Sequence, residues 1–115
     1  MASQIDFYKR CIKKLLFECE SFKSPWANVE LLFDDERMSY MAVRVGWLKH
    51  KRIHLCLVHI DILGDTMVVQ CNNTENLVVT ELVEMGIPTE KISCGFIPPE
   101  AQKDMENHWI KTSVV

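Results

Sequence analysis

At 115 residues, with 48% hydrophobic and 25% charged side chains, the chain has room for one domain with a real core and none for a multi-domain enzyme. A net charge of −3 is not the footprint of a protein that grips a nucleic-acid backbone by charge alone. Five scattered cysteines without a CxxC pair fit reduced thiols better than a disulfide framework or a structural zinc site, and with no secretory signal or membrane span recognisable the expected location is cytoplasmic.

In chain order, residues 4–22 predict a helix. Ile5, Tyr8, Ile12, Leu15, Leu16, Cys19 and Phe22 recur at helical spacing behind Ser3, a residue type that caps helix starts. Phe7 and Phe17 fall off this apolar stripe, beside Arg10 and Lys14, and mark a candidate partner-binding or homodimer face; burial of the helix on a wider arc explains them equally well. NVELLFD (28–34), SYMAVRVGW (39–47), RIHLCLVHIDI (52–62) and TMVVQCN (66–72) then read as four strands joined by turns at DDER, LKHK and LGD. In the second strand Met41, Val43, Val45 and Trp47 face one way, and Tyr40, Ala42 and Arg44 the other.

Asn72 with Glu75 three residues on resembles a capping box, so a second helix is expected from there, with Val78, Val79, Leu82, Val83 and Met85 as its apolar face. Gly86 and Pro88 stop it. ISCGF (92–96) predicts a short last strand, and Pro98-Pro99 closes a compact part of about 4–99. In the tail, 100–115, Ala101, Met105 and Trp109 stand four apart, the spacing of a docking helix. The expected architecture is α+β in a single domain, 1–115: an N-terminal helix, an antiparallel four-stranded meander, a second helix and a short final strand.

Candidate chemistry concentrates in the third strand. By alternation, His59 and Asp61 share a face one pleat apart, with His54 opposite, and apolar residues on both faces predict a central strand covered on both sides. A carboxylate beside an imidazole can orient it or share a metal, but no third ligand is evident. A histidine satisfied by hydrogen bonds is the better account, so neither catalytic residues nor metal or cofactor ligands are assigned. Phosphate-loop, dinucleotide, GxSxG and HExxH patterns are missing, and a stand-alone enzyme is not expected. Residues 1–57 carry an excess of basic groups and 58–115 of acidic ones; Lys49, His50, Lys51 and Arg52 at a hairpin turn could touch phosphates, although a solvated turn explains them more simply.

VGWLKHKRIHLCLVHIDI, QCNNTE and ELVEMGIPTEKISCGF together resemble the XisI family of cyanobacterial element excision controlling factors, over about three quarters of the chain. Trp47, Arg52, His59, Asp61, Gln70, Thr74, Glu75, Leu82, Gly86, Ile92 and Phe96 fall where that family's recurrent residues fall. The resemblance implies an accessory role in programmed DNA rearrangement during heterocyst differentiation, beside a site-specific recombinase and with a XisH-like companion. Contact with DNA would then be indirect. Two features depart from the family: Ile97-Pro98-Pro99 follows Gly95-Phe96 where a histidine is common, and AQKDMENHWIKTSVV replaces the usual aromatic-rich ending.

Overall fold

The computed structural model describes residues 3–98, so Pro99 and the tail with Ala101, Met105 and Trp109 lie outside the described residues. Helix α1 (Gln4–Glu18) starts in a reciprocal capping box: Ser3 Oγ accepts from the Asp6 N–H at 3.1 Å, and Asp6 Oδ2 accepts from the Ser3 N–H at 3.3 Å. It continues through a 3-10 turn (Cys19–Phe22), filling the span expected from the periodicity. Four strands follow, β1 (Ala27–Asp34), β2 (Ser39–Leu48), β3 (Lys51–Leu63) and β4 (Thr66–Asn72), then α2 (Val78–Glu84) and β5 (Ile92–Cys94).

The strands lie in the order β1-β2-β3-β4-β5. The first four are antiparallel neighbours, as expected, but β5 runs parallel to β4 and pairs Met67 with Ile92 and Val69 with Cys94. The sheet is therefore mixed and five-stranded, which corrects the four-stranded meander with a separate last strand. The reason is α2: a helical crossover returns the chain in the direction in which β4 left, so the next strand is parallel.

Both helices pack on one face of the sheet. Tyr8, Ile12, Leu15 and Leu16 of α1 and Val78 and Leu82 of α2 meet Tyr40, Ala42, Val58, Ile60, Ile62, Met67 and Val69 in one apolar cluster. On the other face no helix lies among the described residues, which corrects the expectation that β3 is covered on both sides. There Met41, Val45, His59, Asp61, Val68 and Gln70 are half-buried, and Leu32, Trp47 and Leu63 are exposed. The long apolar run of β3 has a different cause, a β-bulge.

Ala42 pairs with Val58 but Val43 pairs with Cys56, so Leu57 is an extra residue on β3. Leu57 and Val58 are consequently both in the core, and alternation reverses across them. His54, opposite Val45, therefore shares the outer face with His59, opposite Met41, rather than the reverse face. α2 also differs from expectation. It begins at Val78 with no side-chain cap, because Asn72 Oδ1 instead accepts from the Thr74 N–H and hydroxyl, at 3.0 and 2.6 Å, within the preceding loop. Among the described residues no helix is long and apolar enough to cross a membrane.

The chain folds back at Trp26, whose carbonyl accepts from the Trp47 N–H at 3.0 Å. A Cβ at Gly46 would stand 2.0 Å from that carbonyl oxygen. Gly46→Ala must separate two backbones and is expected to cost about 3 kcal/mol, read as a lower midpoint in urea unfolding.

Candidate functional site

The bulge at Leu57 brings Ser39 opposite Asp61 on the outer face, and Met41 opposite His59. A second irregularity, in β4, leaves Gln70 as the extra residue between Val69, opposite Ile60, and Cys71, opposite His59. Gln70 shares the outer face with Val68 by alternation, and the irregularity brings Cys71 onto that face opposite His59. The result is a half-buried network: His59 Nε2 lies 3.2 Å from Ser39 Oγ and 3.0 Å from Asp61 Oδ1, and Gln70 Nε2 donates to Asp61 Oδ2 at 3.1 Å.

Partial burial alone would push the Asp61 carboxyl up, but hydrogen bonds from Ser39 and Gln70 and the His59 ring outweigh it and hold it below the usual carboxylate range. Serine, histidine and aspartate here are not a proton relay. A relay uses one imidazole nitrogen towards the hydroxyl and the other towards the carboxylate, whereas both contacts here fall on Nε2. Both Asp61 oxygens are engaged by side chains, and among the described residues no three His, Cys, Asp or Glu side chains gather in a way that could hold a metal ion. The network braces three strands. Gly95 belongs to it sterically, since a Cβ there would stand 2.3 Å from Gln70 Oε1.

Of the other residues singled out in the sequence, Trp47 and Arg52 are cross-strand partners near the far end of the same face. The Arg52 guanidinium lies over the exposed indole, 5.3 Å from its ring centre, and donates to the Gly46 carbonyl at 3.4 Å. The turn between them, at Lys49 and His50, has Lys49 in the left-handed region at φ 57°. Thr74 and Glu75 lie in the loop before α2, where Thr74 Oγ1 accepts from the Asn76 N–H. Gly86, at φ 109°, ends α2 under the Phe7 ring, and Phe96 is exposed after β5. These residues do not converge with His59 and Asp61 on one pocket.

On α1, Phe7 is half-buried against the core margin, in keeping with a wider buried arc. Phe17 is 54% exposed and meets Phe33 edge to face at 5.7 Å between centres, while Arg10 and Lys14 are exposed. Arg10 lies 5.9 Å from the Phe7 ring centre.

Sequence reasoning missed Ser39 and the neighbouring thiols Cys56 and Cys71. Asn73 Nδ2 and the Cys71 thiol both donate to the Cys56 carbonyl, at 3.0 and 3.5 Å. Burial and the adjacent Cys71 push the Cys56 thiol up to about 12, so it stays protonated and poorly nucleophilic near neutrality. Ser39 was hidden because its pairing with Asp61 depends on the bulge.

The sequence model of the XisI protein family matches residues 2–107. Among solved structures, a XisI-like protein from Anabaena variabilis superposes with a TM-score of 0.83 at 33% identity, over 89% of this chain and 95% of that one. The fdxN element excision controlling factor XisI from the same organism superposes with a TM-score of 0.77 at 22% identity, over 90% and 96% of the two chains, a likeness of fold. Among curated proteins none matches.

The lowered Asp61 carboxyl has a signed consequence for stability. A carboxyl that ionises more readily folded than unfolded contributes stability above its unfolded range, and that contribution disappears as pH falls through the folded value. Asp61→Asn should cost about 1–2 kcal/mol at pH 7, and the gap to the parent should close as urea unfolding is repeated towards pH 2–3.

Proposed function

Because the chain belongs to the XisI family, we propose that it is a XisI-like controlling factor for programmed excision of a DNA element, a non-enzymatic accessory that acts by binding a XisH-like protein. The observation that carries the binding reading is the outer side of α1. Phe17 keeps more than half its surface in water on the helix that also exposes the cations Arg10 and Lys14. An aromatic ring left half-solvated on a rigid helix gains free energy when a partner covers it, and cations on the same helix select the orientation.

The non-enzymatic part is supported by the outer-face network, in which the family-pattern residues His59, Asp61 and Gln70 bond to one another. They serve as a clamp across strands, which gives α1 a stiff support on the opposite side of the sheet. On this reading the recombinase contacts the DNA, and the cytoplasmic pathway reaches this chain through its companion.

Direct DNA contact by the basic first half is the second reading. The exposed run Lys49, His50, Lys51 and Arg52 favours it, and salt-dependent duplex binding is its measurement.

Co-purification of the full chain with its XisH-like companion, with light scattering for stoichiometry, tests the main reading. A complex is expected. Phe17→Asp should leave urea unfolding within about 1 kcal/mol of the parent and weaken capture about tenfold or more. Failure to form a complex, with the free chain shifting a duplex probe at low salt, would transfer the assignment to the second reading.

A further inference from the structure

The sheet is longer than the helical layer that covers it. Beyond Tyr40 and Ala42, the helix-side face continues through Arg44, Gly46 and Leu48 on β2, opposite Leu55, Ile53 and Lys51 on β3. None of these side chains joins the buried cluster formed with α1 and α2. Leu48 and Leu55 are left 43% and 41% exposed on this ledge. Arg44 Nη2 donates to Ser24 Oγ at 3.2 Å, but its Nε is buried with no hydrogen-bond partner. Lys49 and Lys51, at the tip, make no ion pair among the described residues.

The helical layer carries the opposite arrangement. Glu18 of α1 and Glu81 of α2 stand carboxyl to carboxyl with Glu84 nearby, and burial together with these neighbours pushes the Glu81 carboxyl up. None of the three makes an ion pair among the described residues. One chain thus holds an uncompensated cationic, apolar ledge and an uncompensated acidic corner.

We propose that the β2–β3 ledge seats the Glu18, Glu81 and Glu84 corner of a second copy of this chain. A two-fold axis between the patches lets each copy present its ledge and its corner once, so the contact closes at a dimer. Carboxylates reach the cations at Lys49 and Lys51, while Leu48 and Leu55 leave water. A phosphate backbone would answer the cations but leave both leucines exposed, which favours a protein surface over nucleic acid. The complementary surface is on the same chain, which favours a second copy. This pairing goes beyond companion binding and does not use Phe17.

Sedimentation equilibrium of the full chain tests it. The expected result is a dimer whose dissociation constant rises about tenfold or more between roughly 0.05 and 0.5 M salt. Reversing the tip (Lys49→Glu with Lys51→Glu) or the corner (Glu81→Lys with Glu84→Lys) should each give a monomer. Mixing the two reversed proteins should restore a dimer, because both contacts are then again between opposite charges. The corner variant also relieves repulsion against Glu18, so unfolding in urea should show it at least as stable as the parent and separate lost pairing from lost folding. A monomeric parent at low salt, a dimer indifferent to either reversal, or no pairing on mixing would each overturn the proposal. So would a monomeric parent whose tip shifts a nucleic-acid probe.

Discussion

The single extra residue at Leu57 sets which side chains of β3 meet which neighbours. On the turn side of the bulge Val43 lies opposite Cys56 and Val45 opposite His54; beyond it Ala42 lies opposite Val58 and Ser39 opposite Asp61. The additional backbone is not left without a partner, since the Leu57 carbonyl accepts from the Asn73 N–H at 2.7 Å. Two successive side chains, Leu57 and Val58, enter the core there, and the polar residues after them turn outward together. Without that shift His59 and Asp61 would point towards the helices, where burial of an imidazole and a carboxylate would replace aliphatic packing against α1.

The arrangement divides the protein into faces of different physical character. One face is closed by α1 and α2 over aliphatic side chains and two tyrosines, and the Tyr40 hydroxyl at its rim donates to Asp35 Oδ1 at 2.8 Å. Asp35 also accepts from Lys13 at 2.8 Å, so the middle of α1 is tied to the β1–β2 turn by a charged hydrogen-bond chain. The outer face has the Ser39–His59–Asp61–Gln70 network at one end and the Trp47–Arg52 stack towards the other. The sheet is thus stiffened on its outer side in a chain that belongs to the XisI family.

Much of this was legible before the structure. Ser3, the apolar spacing through Phe22 and the stop at Gly86–Pro88 mark α1 and the end of α2 through local chemistry alone: capping, periodicity and a left-handed glycine. The partnership of His59 with Asp61 was visible because two residues one pleat apart remain on one face whatever precedes them. Three features were not visible. The side of His54 and the pairing of Ser39 depend on the bulge, and the side of Cys71 depends on the irregularity in β4. The start of α2 was misread because Asn72 has two competing uses, capping a helix or closing a loop turn, and the loop turn to Thr74 prevails.

Sequence by itself determined the elements, their order, the antiparallel run from β1 to β4 and the family pattern, because these depend on residues within a few positions of one another. Tertiary structure decided that β5 joins the sheet parallel to β4, that both helices take the same face, and that Ser39, His59, Asp61 and Gln70 meet. The physical reason is that strand register is a long-range quantity. One residue added in the middle of β3 reverses the facing of everything before it relative to everything after it, and only packing against α1 and α2 selects where that residue is placed.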